Sequence, residues 1–234
     1  MQDKNDLIVL IGALDAEINE YVKHLRNTVV HHWKEFTFYE GVLEGKSVVI
    51  CKSGVGKVFA AVVTQKLIDV YQPSCVLFTG VAGGLSSKLQ VGDIVVAKDC
   101  IQHDLNACGL GFPRGAVPYT NYRFFTTNER LKKLALTAPS QHAIHEGRIL
   151  TGDHFITKSE LIEFQYLTDE LQGDAVEMEG AAVGQVCTIN EIPFLIIRTI
   201  SDKANEEAAV SFNAFLPVVA NNSFEVVGHI LRMY

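Results

Sequence analysis

The sequence predicts an α/β fold that forms one domain around a largely parallel sheet. Short runs of apolar residues alternate along the chain with longer segments of helical spacing, and this alternation is typical of parallel sheets covered by helices. No low-complexity linker or internal repeat interrupts the 234 residues. Because one α/β core can use a chain of this length, we predict a single domain over residues 1–234.

The first half of the chain predicts four strands and two helices. In order, they are strand 7–11, helix 13–25, strands 36–42 and 47–51, helix 56–71 and strand 75–79. The first and last strands are uninterrupted apolar runs, typical of buried strands. The two middle strands flank Glu44-Gly45, a turn pair that predicts a hairpin. Both helices follow from apolar spacing, and Ser53 is a candidate cap for the second helix.

The second half of the chain predicts further strands and helices after a long loop. They are strand 94–97, helix 129–135, strand 148–151, helix 158–167, strand 175–177, helix 178–190, strand 193–197 and an amphipathic helix 213–233. Pro217 lies within the last helix, although proline disrupts a helix interior. Residues 103–122 are rich in Gly and Pro and predict a loop, and long loops in compact domains are often functional.

The composition excludes several classes of protein. Charged residues make up 20% of the chain, and the net charge is −7 with no cluster of Lys or Arg. Nucleic-acid binding proteins carry basic patches, so we expect no nucleic-acid partner and a small neutral or cationic ligand. No run is long enough to span a membrane, and the apolar run 7–11 is too short for a signal peptide. We therefore expect a soluble cytoplasmic protein without a membrane partner.

Two features argue against redox, metal and phosphate-loop chemistry. The five cysteines are an odd number and include no C-x-x-C pair, which favours buried thiols in a reducing cytoplasm. The turn Gly54-Val-Gly56-Lys57 lacks the first glycine and the Ser or Thr of a phosphate loop. We interpret it as a tight turn between a strand and a helix, and we predict neither a metal nor a cofactor.

Four separated segments place acidic or flexible residues where a predicted strand ends: 12–17 (GALDAE), 80–84 (GVAGG), 176–180 (VEMEG) and 198–202 (RTISD). In open α/β sheets, ligands bind at the carboxyl ends of the strands, so these segments predict one site. Each has a simpler explanation: acids that stabilise a helix start, a glycine turn, an ion pair of Arg198 with Glu177 or Glu179, and a capped turn. The capped turn leaves Arg198 in a buried strand unexplained.

Eight motifs occur in register along the chain: 12–17 (GALDAE), 52–57 (KSGVGK), 79–84 (TGVAGG), 92–96 (GDIVV), 152–156 (GDHFI), 176–179 (VEME), 198–202 (RTISD) and 211–215 (SFNAF). Together, from about residue 7 to 231, they resemble the bacterial 5′-methylthioadenosine/S-adenosylhomocysteine nucleosidases of the purine nucleoside and uridine phosphorylase superfamily. The resemblance implies a three-layer sandwich, in which helices flank a central, mixed and largely parallel twisted sheet.

The resemblance also implies a reaction and a catalytic set. The family hydrolyses the N9–C1′ bond of 5′-thio-substituted adenosines through a transition state with positive charge on the ribose. Asp202 matches the general acid that protonates N7 of adenine, and Ser201 would orient it. Glu17 matches the residue that activates water. Glu179 and Arg198 would hold the ribose and that water. The pathways implied are methionine salvage, the methyl cycle and synthesis of a quorum-sensing precursor.

The remaining residues that the resemblance implies would bind substrate. Met178 would pack against the sugar, Phe155 would stack on adenine, the Ile156 backbone would contact the adenine edge, and Phe212 would line the 5′-thio pocket. Further substrate contacts are expected from Glu177, Val81, Ala82 and Gly83. The family is dimeric, and loop 103–118 would wall the partner's pocket with Leu110, Phe112 and Pro118.

Two details and three alternatives stay open at this point. Val81 stands where some relatives have Ser, so a hydroxyl that could hold the water is missing. Loop 103–118 differs from common versions, which leaves the preferred 5′ substituent open. The alternatives are a nucleosidase acting on 6-amino-6-deoxyfutalosine, a phosphate-dependent phosphorylase, and a ligand-binding or storage protein. The acids of turn 12–17 favour hydrolysis, because carboxylates repel phosphate.

Overall fold

The computed structural model describes residues 6–157, 163–203, 216 and 221–234. The strands are β1 (Ile8–Gly12), β2 (Arg26–Trp33), β3 (Phe36–Leu43), β4 (Lys46–Lys52), β5 (Cys75–Gly84), β6 (Ile94–Gln102), β7 (Phe125–Thr126), β8 (Ile144–Thr151), β9 (Ala175–Glu177) and β10 (Phe194–Asp202). The helices are α1 (Asp15–His24), α2 (Lys57–Tyr71), α3 (Glu129–Leu136), α4 (Tyr166–Asp169), α5 (Gly180–Ile189) and α6 (Phe224–Met233), with a 3-10 turn at Cys108–Leu110.

The strands form one mixed sheet in the order β10-β6-β8-β9-β5-β1-β4-β3-β2, and β7 pairs with β6. At its centre, β1 is parallel to both β4 and β5, and β5 is also parallel to β10. The edge formed by β2, β3 and β4 is antiparallel. The predicted mixed sheet with parallel strands at its centre is therefore confirmed.

Five strands of this sheet close into a ring. Strand β10 pairs with β5 on one side and with β6 on the other, and β6, β8 and β9 continue the sheet back to β5. The sequence did not predict this closure, because a closed and an open sheet have the same apolar pattern. The closure brings the ends of β5, β9 and β10 close together.

Helices cover both faces of the sheet, which confirms the three-layer α/β architecture. One apolar cluster packs α2 and α5 against the face that carries Val9 and Ile11. The other packs α1, α3 and α6 against the face that carries Ile8 and Leu10. All four of these β1 side chains are fully buried, as expected for a strand with helices on both sides.

The predicted elements differ from the structure at several places. Strand β2 was not predicted, and Ser53 does not cap α2, because its hydroxyl donates to the carbonyls of Gly12 and Gly54. Strand β5 continues through the glycine-rich segment, which we expected to be a turn. Helix α5 begins at Gly180 rather than Met178. Parts of the predicted helices 158–167 and 213–233 lie outside the described residues. In the part of the chain that the structure describes, the last helix begins at Phe224.

The cysteines divide into a buried group and one exposed member. Cys51, Cys75, Cys100 and Cys187 are buried, Cys108 is exposed, and all five are free thiols. Among the residues that the structure describes, no helix has the length and apolar character required to cross a membrane.

Candidate active site

A cavity of about 250 Å³ lies where β1, β9 and β10 end, beside the last residues of β5. Its walls are Ala13, Leu14, Glu17, Val55, Val81, Ala82, Gly83, His154, Phe155, Ile156, Val176, Glu177, Met178, Glu179, Ser201 and Asp202. The four segments that the sequence analysis singled out are therefore brought together in one place. This position agrees with the rule that ligands of α/β proteins bind at strand ends.

Glu17 lies in the first turn of α1, and its carboxylate points into the cavity. Its Oε2 accepts hydrogen bonds from the N–H groups of Ala13 at 2.7 Å and Leu14 at 2.9 Å, and its Oε1 accepts one from Val81 at 3.0 Å. Burial raises the pKa of Glu17, although Arg198 and the three N–H groups oppose that rise. Asp15, the other acid of this turn, instead lies at the surface and pairs with Lys52 at 2.8 Å.

Gly80 leaves the space that the Glu17 carboxylate occupies. A Cβ atom at residue 80 would lie 2.5 Å from Oε1 of Glu17 and 2.9 Å from its carboxyl carbon. Real Cβ atoms do not approach other atoms so closely, so any side chain here would displace the carboxylate. The group that approaches the backbone at Gly80 is therefore a side chain of the protein itself.

The two carboxyl groups at the end of β9, those of Glu177 and Glu179, have different surroundings. Glu179 lies beside the cavity and accepts a hydrogen bond from the Gly56 N–H at 2.7 Å. Burial, followed by the negative charge of Glu177, raises the pKa of Glu179 to about 8. Glu177 accepts hydrogen bonds from the Thr151 hydroxyl and from the Gly180 N–H at 2.8 Å. Glu177 was predicted to contact the substrate, and it does line the cavity. Its carboxylate, however, is already bound by groups of the protein.

Arg198 lies behind the cavity wall and is 1% exposed. Its Nη2 donates to Oε2 of Glu177 at 2.6 Å, and its Nη1 donates to the carbonyls of Phe78 and Ile197. Its guanidinium carbon also lies 4.1 Å from the centre of the Phe78 ring. The sequence offered Glu177 and Glu179 equally as the partner of Arg198, and the structure selects Glu177. Arg198 is not among the residues that line the cavity, and its contact with a water stays a prediction.

Ser201 and Asp202 end β10, and both line the cavity. Both are buried, and the Ser201 hydroxyl donates to Oδ2 of Asp202 at 2.9 Å. The pairing of β10 with β5 shifts register between Ile200 and Asp202. Such irregularities re-aim side chains at functional sites, and here two consecutive polar residues both reach the cavity region.

The turn 54–57 uses its backbone N–H groups to bind carboxylates of the protein. Gly54 and Gly56 have φ values of +85° and +96°, which side chains rarely adopt. The N–H of Gly56 binds Glu179, and the N–H of Lys57 binds Oδ1 of Asp153 at 2.9 Å. The interpretation of this segment as a tight turn before a helix agrees with the structure.

The whole length of the chain matches known proteins. A family model described as the phosphorylase superfamily matches residues 7–232. The 5′-methylthioadenosine/S-adenosylhomocysteine nucleosidase of Halalkalibacterium halodurans is 37% identical, over 94% of this chain and 95% of that protein. The chain belongs to this nucleosidase family of the phosphorylase superfamily.

Solved structures of this superfamily have the same fold. The nucleosidase of Neisseria meningitidis in complex with methylthio-immucillin-A is 36% identical and superposes with a TM-score of 0.93, covering 98% of this chain and 100% of that one. The futalosine hydrolase of Helicobacter pylori is 33% identical with a TM-score of 0.91, covering 98% of both chains. The nucleoside phosphorylase-like fold that the sequence predicted is confirmed.

The remaining predicted residues of this nucleosidase-family chain are one that the structure does not describe and three that do not line the cavity of their own chain. Phe212 lies outside the described residues. Leu110, Phe112 and Pro118 belong to loop 103–118, and none of them lines the cavity of its own chain.

Sequence reasoning also missed several walls of the cavity: Ala13, Leu14, Val55, His154 and Val176. Each of them lies inside or beside a motif that was recognised. Their proximity to those motifs was the available signal, since their residue types alone indicate no chemistry.

Proposed function

We propose that this chain hydrolyses the N9–C1′ bond of 5′-methylthioadenosine, S-adenosylhomocysteine and 5′-deoxyadenosine, and so releases adenine. One observation carries the proposal: a single cavity is lined by three buried acidic residues, Glu17, Glu179 and Asp202, which come from three distant segments. Cleavage of this bond needs an acid at the purine, negative charge near the sugar and a base for water. The family membership supports the same reaction.

Asp202 is the proposed general acid at the purine end of the cavity. Adenine leaves readily only when N7 is protonated, so the carboxyl has to carry a proton in the bound state. The hydrogen bond from Ser201 fixes its orientation. We propose that Phe155 stacks on the purine ring and that the Ile156 backbone binds its edge, since both residues line the same cavity as Asp202.

Glu17 is the proposed base for the attacking water. Three backbone N–H groups hold its carboxylate in place, and burial raises its pKa towards the range useful for a general base. The positive charge of Arg198 opposes this rise. We therefore assign Arg198 a positioning role, in which it fixes Glu177 and tunes Glu17 from behind the wall.

Glu179 and Met178 are the proposed contacts of the ribose. Because its pKa is about 8, Glu179 carries a proton in the resting site at neutral pH and can bind the ribose hydroxyls in that form. When it ionises, it places negative charge beside the developing oxocarbenium ion, which stabilises the transition state. Val81, Ala82 and Gly83 form the adjacent backbone wall. Phe212 is proposed from the sequence alone as a residue of the apolar 5′-thio pocket.

Hydrolysis is favoured over phosphorolysis by the charges around the cavity. Among the described residues that line it, none is a Lys or an Arg, and Arg198 is engaged by Glu177. A phosphate nucleophile needs cationic groups, whereas carboxylates repel it. These features support water as the nucleophile.

We also propose that the working unit is a cytoplasmic homodimer, with residues 1–234 as one catalytic domain. Val58, Phe59 and Val62, at the start of α2, and Val55, two residues before it, are 44–74% exposed. Leu110 is 68% exposed in loop 103–118. Contiguous exposed apolar residues mark interaction surfaces, and a second copy would bring its loop to the cavity.

The test is release of adenine from 5′-methylthioadenosine, measured by chromatography with and without phosphate. Wild type should release adenine equally in both conditions. Glu17→Gln and Asp202→Asn should each slow the reaction about 10²–10⁴-fold, the usual range for loss of a general acid or base. Asp15→Asn, at the surface of the same helical turn, is the matched control and should retain wild-type rates.

Three results would contradict the proposal. Turnover that requires phosphate would identify a phosphorylase. Binding of adenine without any turnover would identify a storage protein. Faster cleavage of 6-amino-6-deoxyfutalosine would favour the second candidate, which the likeness to the Helicobacter pylori futalosine hydrolase supports.

A further inference from the structure

Three charged residues beside the cavity join three separate segments of the chain. The ammonium group of Lys57, at the start of α2, lies 2.7 Å from Oδ1 of Asp104 and 3.7 Å from Oδ2 of Asp153. Asp104 follows β6, and Asp153 follows β8. We call this set the Lys57–Asp104–Asp153 cluster.

Backbone hydrogen bonds tie the same three segments together. The N–H of Lys57 donates to Oδ1 of Asp153, and the N–H of Asp153 donates to Oδ2 of Asp104 at 3.0 Å. Each aspartate therefore pairs with the Lys57 ammonium group and also accepts a hydrogen bond from a backbone N–H of another segment. Burial would raise the pKa of Asp104, but the hydrogen bonds from Lys57 and Asp153 lower it overall, so this carboxylate is ionised at neutral pH.

The cluster lies at the base of one wall of the cavity. Asp153 directly precedes His154, Phe155 and Ile156, which form that wall. On the other side, Gly56 precedes Lys57 and binds Glu179. Asp104 marks the start of loop 103–118. A displacement of Asp153 would therefore move the wall, because the backbone connects Asp153 directly to His154 and Phe155.

His103, the residue before Asp104, packs against Gly152, close to the start of the same wall. His103 is 1% exposed, and its ring packs against Gly152, where any added Cβ would collide with it. Its Nδ1 lies 3.1 Å from the Tyr166 hydroxyl. Residues 152 and 153 are thus held by His103 and Asp104 in turn, and the wall begins at the next residue.

Lys57 differs from an ordinary surface ion pair, which contributes about 0–1 kcal/mol. Its side chain is 18% exposed and has a carboxylate on either side. Without the ammonium charge, the carboxyl groups of Asp104 and Asp153 would share this place with no positive charge between them. Their repulsion would act on Asp153, which directly precedes the 154–156 wall.

We propose that the Lys57–Asp104–Asp153 cluster positions the 154–156 wall and thereby sets the affinity of the cavity for its purine ligand. This inference rests on the proposed function for the identity of the ligand. The three residues are positioning residues, since none of them lines the cavity itself. Their loss should weaken binding more than it slows the chemical step, because Glu17 and Asp202 lie on other segments.

The experiment compares Lys57→Gln with wild type for kcat and KM on 5′-methylthioadenosine, and for adenine affinity by calorimetry. We expect KM and the adenine Kd to rise about tenfold, with kcat within about threefold of wild type. Lys57→Arg should restore most of the affinity, because it restores the positive charge. Lys57→Gln combined with Asp104→Asn should bind no worse than Lys57→Gln alone, because one of the two repelling charges is gone.

A matched control and a second readout separate positioning from general damage. Lys23→Gln removes the lysine of a surface pair with Glu20, at the far end of α1 from Glu17, and should change neither constant. Hydrogen exchange of peptides that cover residues 153–157 should be faster in Lys57→Gln than in wild type. If Lys57→Gln does not fold, Lys57→Met, which keeps the length of the side chain, tests the same loss of charge with the same expected rise in KM.

Two outcomes would overturn the inference. Unchanged KM and adenine affinity in Lys57→Gln would show that the wall does not depend on the cluster, whatever its exchange rate. A fall in kcat at constant KM would place the effect on the chemical step instead. Absence of turnover by wild type would overturn the proposed function, and hydrogen exchange would still decide whether the cluster holds the wall.

Discussion

At the scale of single residues, the position of the Glu17 carboxylate depends on the absence of a side chain at Gly80. Gly80→Ala would place a methyl group 2.5 Å from its Oε1, which would push the carboxylate away from the Val81 N–H. We expect kcat/KM for adenine release to fall at least about tenfold, and stability to fall by about 1–3 kcal/mol, the usual cost of overpacking. Enzyme assays and urea unfolding measure the two effects.

The matched control for this substitution is Gly228→Ala in α6. There an added Cβ meets its nearest neighbour, an Arg232 side-chain nitrogen, at an ordinary 3.4 Å. Activity should not change, and stability should rise slightly because alanine favours helices. Full activity of Gly80→Ala would show that the position of Glu17 is not critical.

Glu179 should make stability depend on pH. Its pKa is about 8 in the folded protein, where burial and Glu177 raise it, against an ordinary value of 4.5. Between these two pH values the folded protein holds a proton that the unfolded chain has released, so stability falls as the pH rises through this window. Glu179→Gln removes the titrating group and should become progressively more stable than wild type from about pH 5 to about pH 8.

Urea unfolding at a series of pH values measures this effect. The difference between the two proteins should exceed about 1 kcal/mol across the window, since each unit of pKa shift corresponds to about 1.4 kcal/mol. Asp15→Asn removes an exposed carboxylate and should give a difference that is constant with pH. A constant difference for Glu179→Gln as well would contradict the raised pKa.

At the scale of elements, the start of α2 presents an apolar surface that a second copy would cover. Val58 is 74% exposed at its centre. Val58→Asp should dissociate the proposed dimer and lower activity in parallel, because a charge buried in an interface is unfavourable. Sedimentation and the adenine assay measure both. Val70→Asp, 51% exposed near the other end of α2, should leave assembly and activity unchanged.

The strands show how far the apolar pattern of a sequence defines an element. Strand β1 was predictable because all five of its residues are buried. Strand β2 was not, because seven of its eight residues are exposed and its sequence therefore has no alternation. Strand β5 was predicted to stop at Gly80, since glycine disfavours strands; pairing with β10 and β9 carries it to Gly84.

The hairpin was predictable for a local reason. Glu44 and Gly45 have φ values of +51° and +81°, as a two-residue hairpin turn requires. By contrast, the partner of Arg198 depends on how β9 and β10 each pair with β5. Nothing in the spacing of Glu177 and Glu179 indicates which of them turns inward, so the sequence could name both acids but not choose between them.

At the scale of the whole molecule, the chain order of the site segments conceals their proximity. Residues 17, 81, 179 and 202 surround one cavity because β1, β5, β9 and β10 end in the same region of the sheet. The sequence predicted that these segments share a site from the rule for strand ends. It could not predict the hydrogen bonds between them, such as that from Gly56 to Glu179, because these depend on the packing of side chains from distant segments.

The distribution of the cysteines makes one position chemically addressable. Burial raises the pKa of Cys51 and Cys75 to about 12 and that of Cys100 and Cys187 as well, so these thiols are poor nucleophiles. In the folded protein a maleimide dye should therefore attach to Cys108 alone, and all five cysteines should react after denaturation. Mass spectrometry of the labelled protein would check this. A dye at residue 108 would then sit on loop 103–118, and its emission would report directly on whether a neighbouring copy is present.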